Sequence, residues 1–237
     1  GANHENFWSS YSVDILKDRV QEYANEVVRY CNTFNVKEIL ILNMGDMIEG
    51  MIHISTRVQA ELNAVDQSIL ARELFTQFVV FVREGTQAKV SIGWTLDNHS
   101  RIHADKKAHI EAESSGRLIM EMVRLRLIGT DITIVGNVID DNIGFYNLGG
   151  KNIVWVHGHL DNPANAMAKL QHGLDFKIDD LVMAHRHHSL VKENLWQVPS
   201  MKGVDEYAKD KRLFSEASQS FRVYEGRNKI TFDIIFK

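Results

Sequence analysis

Four short apolar runs in this chain each stop at, or within a few residues of, side chains that bind metal ions. Glu38 to Met44 (Glu-Ile-Leu-Ile-Leu-Asn-Met) runs into Gly45-Asp46, and Lys89 to Ile92 is followed by Asp97-Asn98-His99. Asn152 to Val156 ends at His157-Gly158-His159, and Leu181 to Met183 ends at Ala184-His185-Arg186-His187-His188. Runs this short and this apolar suit strands buried on both faces, as in sheets covered by helices. In open α/β sheets the carboxyl ends of the strands line the ligand crevice, where loops bring distant residues together. The pattern therefore demands a sheet core with helices outside and a polar rim.

The segments between these runs agree. Val13, Leu16, Val20, Ala24, Val27 and Cys31 step by three and four, which predicts a helix with Ser12 as its N-cap. Further helices are predicted from Ala60 to Arg83, from Lys107 to Ile128 and from Ala164 to Leu170. The second half is richer in hairpins. Ile132 to Val135 and Gly144 to Leu148 read as strands, with Gly149-Gly150 as a turn into the run ending at Val156. Phe221 to Tyr224 and Ile230 to Phe236 flank Glu225-Gly226-Arg227-Asn228 as a terminal hairpin. The fold class expected is α/β, a layered sandwich of mixed sheets flanked by helices. No linker or repeat divides residues 1–237, which reads as one domain.

Composition narrows the chemistry. With 27 basic and 31 acidic residues the net charge is −4, so any contact with phosphates must come from a local patch or a bound metal. The single cysteine, Cys31, excludes a disulfide framework and a thiolate zinc cage and points to a reducing compartment. No apolar run has the roughly 18 residues of a membrane helix, and no signal-peptide pattern opens the sequence.

Each polar cluster alone has an ordinary explanation. Gly-Asp is a common turn, Asn-His a common loop, and a lone histidine after a strand is often a satisfied core residue. Three histidines within four residues at a strand end are harder to dismiss. A His-x-His pair can address two neighbouring ions or clamp one. Together, one carboxylate, one amide and several imidazoles without thiolates make a mixed nitrogen and oxygen site suited to Mn²⁺, Fe or Zn²⁺. Two such ions about 3.5–4 Å apart form a phosphoester-hydrolysis site. In that reading Asn98 is a ligand and His99 a proton donor to a leaving group, since adjacent residues do not readily ligate one ion.

These motifs, in order, resemble the calcineurin-like metallophosphoesterases, whose pattern is Asp-x-His, Gly-Asp, Gly-Asn-His, a lone His and Gly-His-x-His. Gly45-Asp46 matches the second motif, and Asp97-Asn98-His99 the third with aspartate for glycine. His157 matches the fourth, and Ala184-His185-Arg186-His187 the fifth with alanine for glycine. The chain is most similar to compact phosphoesterases of bacteriophages and prophages. The carrying stretches are Ile54-Ser55 with Arg57-Val58-Gln59-Ala60-Glu61, Asn98-His99-Ser100-Arg101, His157-Gly158-His159-Leu160-Asp161, and Asp205 with Tyr207-Ala208. The resemblance implies a four-layer αββα sandwich of two mixed sheets. It also implies two divalent ions, Mn²⁺ foremost with Fe or Zn²⁺ as substitutes. Asp46 would bridge them, Asn98, His157 and His185 would complete one shell, and His187 would serve the other. His99 would be the general acid, with Asp97 orienting it. Arg101, Arg57 and His159 would face substrate. The pattern departs at its start, where no Asp-x-His occurs. The expectation is a trimmed strand, with Asn3, His4 and Glu5 as the nearest candidates to substitute.

The function implied is phosphodiester hydrolysis by a nuclease acting on DNA inside a bacterial host cell. Arg57, Arg101, Lys106, Lys107 and Arg186 near the motif loops add local attraction for a polyanion. Alternatives are a small-substrate phosphatase, a cyclic-nucleotide phosphodiesterase, or a binding protein that has lost its metal pair. No membrane partner is expected, and a homo-oligomer is compatible with the sequence. The aromatic residues show no regular spacing of a base-stacking platform.

Overall fold

A computed structural model describes residues 4–50, 60–103, 105, 107 and 109–237. A small hairpin, β1 (His4–Glu5) and β2 (Ser10–Tyr11), leads into α1 (Val13–Thr33). Ser12 caps that helix, accepting a hydrogen bond from the Ile15 N–H. Then β3 (Glu38–Asn43), α2 (Ala64–Thr86), β4 (Lys89–Trp94), α3 (Ser115–Arg126) and β5 (Thr133–Ile134) form an alternating half. The three strands lie in order β3-β4-β5, all parallel, with Ile41 opposite Ile92 and Ile92 opposite Ile134.

The second half contributes β6 (Gly144–Leu148), β7 (Lys151–Val156), α4 (Ala166–Gly173), β8 (Asp180–Met183), β9 (Leu190–Lys192) and β10 (Leu195–Gln197). These strands make one mixed sheet in the order β6-β7-β8-β10-β9. Helix α5 (Glu206–Lys211) and the hairpin β11 (Ser218–Glu225) with β12 (Asn228–Ile235) close the chain.

Three apolar clusters stack the layers. Val27 and Cys31 of α1, Val79 and Val82 of α2, and Met120 and Val123 of α3 pack on Ile41, Val90 and Ile92. Between the sheets, Met44, Trp155, Val182 and Trp196 form a second cluster with Leu40 and Leu42 against it. Outside the larger sheet, Val154, Val156, Leu181 and Met183 meet Ala166, Met167 and Leu170 of α4. The architecture is therefore a mixed α/β sandwich, with helices on one side, two facing sheets, and the short α4 on the other side. Trp155 ties the sheets together, its indole N–H donating to the Trp94 carbonyl at 2.9 Å.

Boundaries depart from the sequence reading where a polar cap intervenes. Helix α2 begins four residues after Ala60 because Asn63 caps it, accepting from the Val65 and Asp66 N–H groups. Helix α3 begins at Ser115 instead of Lys107 because Ser114 caps it and Arg101 bridges Ser114 in antiparallel fashion.

Strand β3 shows both faces to the core and one edge to a trough. Ile39 and Ile41 turn to the helices, while Leu40 and Leu42 turn to the larger sheet. Among the described residues β3 pairs only with β4. Along its other edge runs a cavity of ≈ 1730 Å³, walled across by Phe221, Val223 and Tyr224 of β11. The strand end at that trough carries Asp46, and His185 and His187 line the same space.

Candidate metal centre

The loop after β3 is shaped for Asp46. Gly45 takes φ +90°, and a Cβ there would lie 2.5 Å from Asp97 Cβ and 2.9 Å from His157 Nδ1, so only glycine fits. Asp46 itself has φ +52°, and His185 and His187 have φ +66° and +62°. Three of the seven non-glycine residues in the left-handed region among the described residues thus belong to one cluster. Strain of this kind concentrates at functional sites because it must be held by the surroundings.

Asp46, His157 and His185 offer ligand atoms that all lie within 4.8 Å of one another. His157 is 1% exposed at the end of β7. Its Nδ1–H donates to the Met44 carbonyl at 2.7 Å, which leaves the Nε2 lone pair facing inward. That nitrogen lies 3.1 Å from Asn98 Oδ1 and 3.5 Å from Asp46 Oδ1. With the ring neutral, three electron-pair donors so arranged repel unless a cation lies among them. The other oxygen of Asp46, Oδ2, faces His187 Nε2 at 3.6 Å. Asp46 is thus flanked by an imidazole on each side.

Two buried atoms of the cluster, Asp46 Oδ1 and His185 Nδ1, have no hydrogen-bond partner among the described residues. Buried polar atoms are nearly always satisfied, so these two fit a cation better than an apo core. Electrostatics agree. Burial works to raise the Asp46 carboxyl, but His157, His187 and His99 together hold it well below the usual carboxylate range. Burial, helped by His157, pushes His185 down to about 4, so the ring is neutral with a free lone pair at neutral pH. The residues fit a divalent ion on the His157 side of Asp46, and His187 supplies a donor on the opposite side. When bound, such ions supply Lewis acidity and lower the pKa of coordinated water.

His99 sits beside this centre without joining its ligand atoms. Its ring Nδ1 faces the Glu49 carbonyl at 3.0 Å. Gly50 lets the loop approach, since a Cβ there would fall 1.9 Å from the His99 carbonyl oxygen. Asp97 occupies a different place from the one expected. Both its oxygens accept from Ser100, from the N–H at 2.8 Å and the hydroxyl at 2.7 Å. It is buried, and burial together with the charge of Asp46 raises its pKa. It shapes the Asn98-His99 turn, while the group on His99 Nδ1 is the Glu49 carbonyl.

The remaining expected residues divide. The ring of His159 is 5.4 Å from that of His157 and 6.3 Å from that of His185, centroid to centroid, at the outer side of the cluster. Arg101 is half-buried, with its backbone bridged to Ser114. Arg57 and Lys106 lie outside the described residues, as does Asn3, and Lys107 is exposed. His4 lies in the β1–β2 hairpin with its Nε2 2.9 Å from Ser9 Oγ and its ring stacked on Tyr11. Glu5 is an exposed residue of the same hairpin.

Sequence reasoning missed a second ring of support. Lys202 joins Glu49 at 3.3 Å and Asp205 at 2.7 Å, and Asp205 also caps α5 through the Ala208 N–H. Asp205 belongs to a stretch that carried the family resemblance, and its structural work is this junction. Ser215 Oγ donates to the His187 carbonyl at 2.9 Å, fixing the strained turn from behind. Serine and lysine in loops carry no periodic signal, so neither could be found by pattern.

No family model matches the chain. Among curated proteins it is similar to the SPβ prophage-derived uncharacterized protein YonJ of Bacillus subtilis strain 168, at 24% identity over 94% of this chain. The chain spans 58% of that relative's length. A Thermotoga maritima protein solved by solution NMR aligns over 85% of this chain and all of its own, at 12% identity and a TM-score of 0.36. The chain is thus related to a protein of prophage origin.

Proposed function

We propose that this chain carries a dinuclear, metal-dependent phosphodiesterase centre and that its substrate is DNA. The observation that carries the reading is the placement of Asp46, with His157 at one oxygen and His187 at the other. A carboxylate flanked in this way is built to serve two cations. Asn98 and His185 would complete the ligand set on the His157 side. Mn²⁺ is the ion the resemblance implies, and the mix of imidazole, amide and carboxylate accommodates Fe and Zn²⁺ as well.

The chain's own groups divide the remaining work. His99 would give the proton to the leaving oxygen, with its ring fixed by the Glu49 carbonyl. Arg186 lines the same trough and supplies positive charge for a phosphate chain. Prophage relationship supports the nuclease reading in a general way, since phage genomes are DNA.

The test is metal loading followed by hydrolysis. After loading with Mn²⁺ and desalting, the expected stoichiometry is two ions per chain, with turnover of bis(p-nitrophenyl) phosphate and of single-stranded DNA. Turnover of a monoester with none of either diester would assign the site to a phosphatase instead. Absence of turnover despite two bound ions would sink the reading.

A further inference from the structure

Two neighbouring aromatic side chains near the start of the chain, Phe7 and Trp8, meet a third from far along it, Phe214, which lines the cavity of the proposed centre. Trp8 and Phe214 have ring centroids 5.0 Å apart at 33°, and Phe7 stands edge-on to Trp8 at 5.7 Å. All three are open to solvent, at 94% for Phe7, 46% for Trp8 and 48% for Phe214. Folding gains little from large aromatic faces left in water, so packing does not explain the group.

The platform is nevertheless firmly built. Asn6 Nδ2 and Ser9 Oγ each donate to the Val204 carbonyl at 2.9 Å, pinning the β1–β2 hairpin to the loop before α5. Arg19, buried in α1, donates to the Met201 carbonyl at 2.7 Å and to the Ser10 carbonyl at 3.2 Å. The other half of the platform is tied to the metal centre. Phe214 precedes Ser215, whose hydroxyl holds the His187 carbonyl. Leu213 and Phe214 line the same cavity as Asp46 and His187. Arg186 and Arg212 line it too, which adds positive charge on a chain whose net charge is −4.

We propose that Trp8 and Phe214 stack an unpaired nucleobase of a nucleic-acid strand whose backbone runs to the Asp46 centre. This rests on the phosphodiesterase reading and adds the class of substrate: a single strand or a frayed end. Exposed aromatic faces interleaved with arginine are the general means of holding unpaired bases, because every base has a π-face. A paired base has its faces already stacked and cannot use them.

The test is binding, which does not require turnover. With Ca²⁺ present, a labelled oligothymidylate and an abasic phosphodiester chain of equal length are titrated against the protein. Trp8 is the most exposed of the four tryptophans, so the part of the emission that ligand quenches in the wild type and not in Trp8→Ala reports on the platform. The expected result is quenching by the oligothymidylate and binding about tenfold tighter than that of the abasic chain. Trp8→Ala and Phe214→Ala should each bring the two ligands to nearly equal affinity, and Trp8→Phe should keep the preference. Equal binding of both ligands by the wild type, no binding, or a preference that survives both alanine variants would overturn the platform. The phosphodiesterase reading is judged separately by wild-type turnover of bis(p-nitrophenyl) phosphate with Mn²⁺, since that small diester needs no base.

Discussion

The ring of His99 is held by the backbone carbonyl of Glu49, 3.0 Å from Nδ1 and fifty positions away in the chain. That contact commits Nδ1–H as a donor and makes Nε2 the nitrogen through which His99 would give a proton. His99→Ala should therefore cut diester hydrolysis by about 10²–10⁴-fold. Metal content should be nearly unchanged, because His99 is outside the group of ligand atoms around Asp46. Metal counts measured beside turnover check this, and a loss of metal would make His99 a ligand instead.

Asp46→Asn tests the other half of the centre. The amide keeps the size of the side chain but removes the charge that both flanking imidazoles face. Occupancy should fall on both sides, and turnover of either diester should fall with it. Titration of the variant with Mn²⁺, read by metal analysis after desalting, gives the outcome. Loss of one ion with full retention of the other would show that Asp46 serves a single ion.

Gly50→Ala should destabilise the fold by about 1–3 kcal/mol. The residue has φ +70°, and the added Cβ would meet the His99 carbonyl oxygen at 1.9 Å. Backbone cannot move aside as a side-chain tip can, so the Glu49–Gly50 loop must shift and take the His99 contact with it. Urea denaturation with and without Mn²⁺ would show the loss, and turnover should drop further than stability alone explains.

The candidate cluster was legible because its members follow strands. Asp46, Asn98, His157, His185 and His187 announce themselves by type and position, and the structure gathers all five. The supporting contacts were not legible. Glu49 acts through its carbonyl, which any residue would offer, and Trp8 and Phe214 meet only through the tertiary fold. Strand β9 was missed because Leu190, Val191 and Lys192 are all exposed and show no alternation. Strand β10 was missed because Gln197, fully buried, reads as polar. The resemblance gives Asp97 the task of orienting His99, whereas its oxygens accept from Ser100, three residues on.

Acid should weaken the metal-free protein before it reaches the carboxylates. His185 titrates at about 4 in the fold against 6.5 when unperturbed, chiefly because burial penalises the charged ring. A base whose pKa is depressed by folding binds more protons when unfolded. Stability therefore rises with pH between about 4 and 6.5 and is lost as pH falls through that window. The effect should be about 1–2 kcal/mol once partial solvent access is allowed for. Urea midpoints at pH 5 and pH 7 in the presence of a chelator measure it. His185→Asn, which tolerates the left-handed backbone at φ +66°, should flatten the difference.

The largest stability loss should come from a residue far from catalysis. Asp180, fully buried at the start of β8, pairs with Arg222 at 2.9 Å and Lys229 at 2.9 Å and accepts from the Tyr224 hydroxyl. These contacts bind the larger sheet to the β11–β12 hairpin, which walls the trough opposite β3. Arg222 is 2% exposed, whereas Lys229, at 25%, can still reach water. Asp180→Asn would leave a buried guanidinium without its counter-charge, a change that costs about 3–5 kcal/mol. Combining Asp180→Leu with Arg222→Met removes both charges and should recover most of that loss. A double-mutant cycle on urea midpoints decides it: recovery in the double variant assigns the cost to the stranded charge, and additive losses assign it to packing.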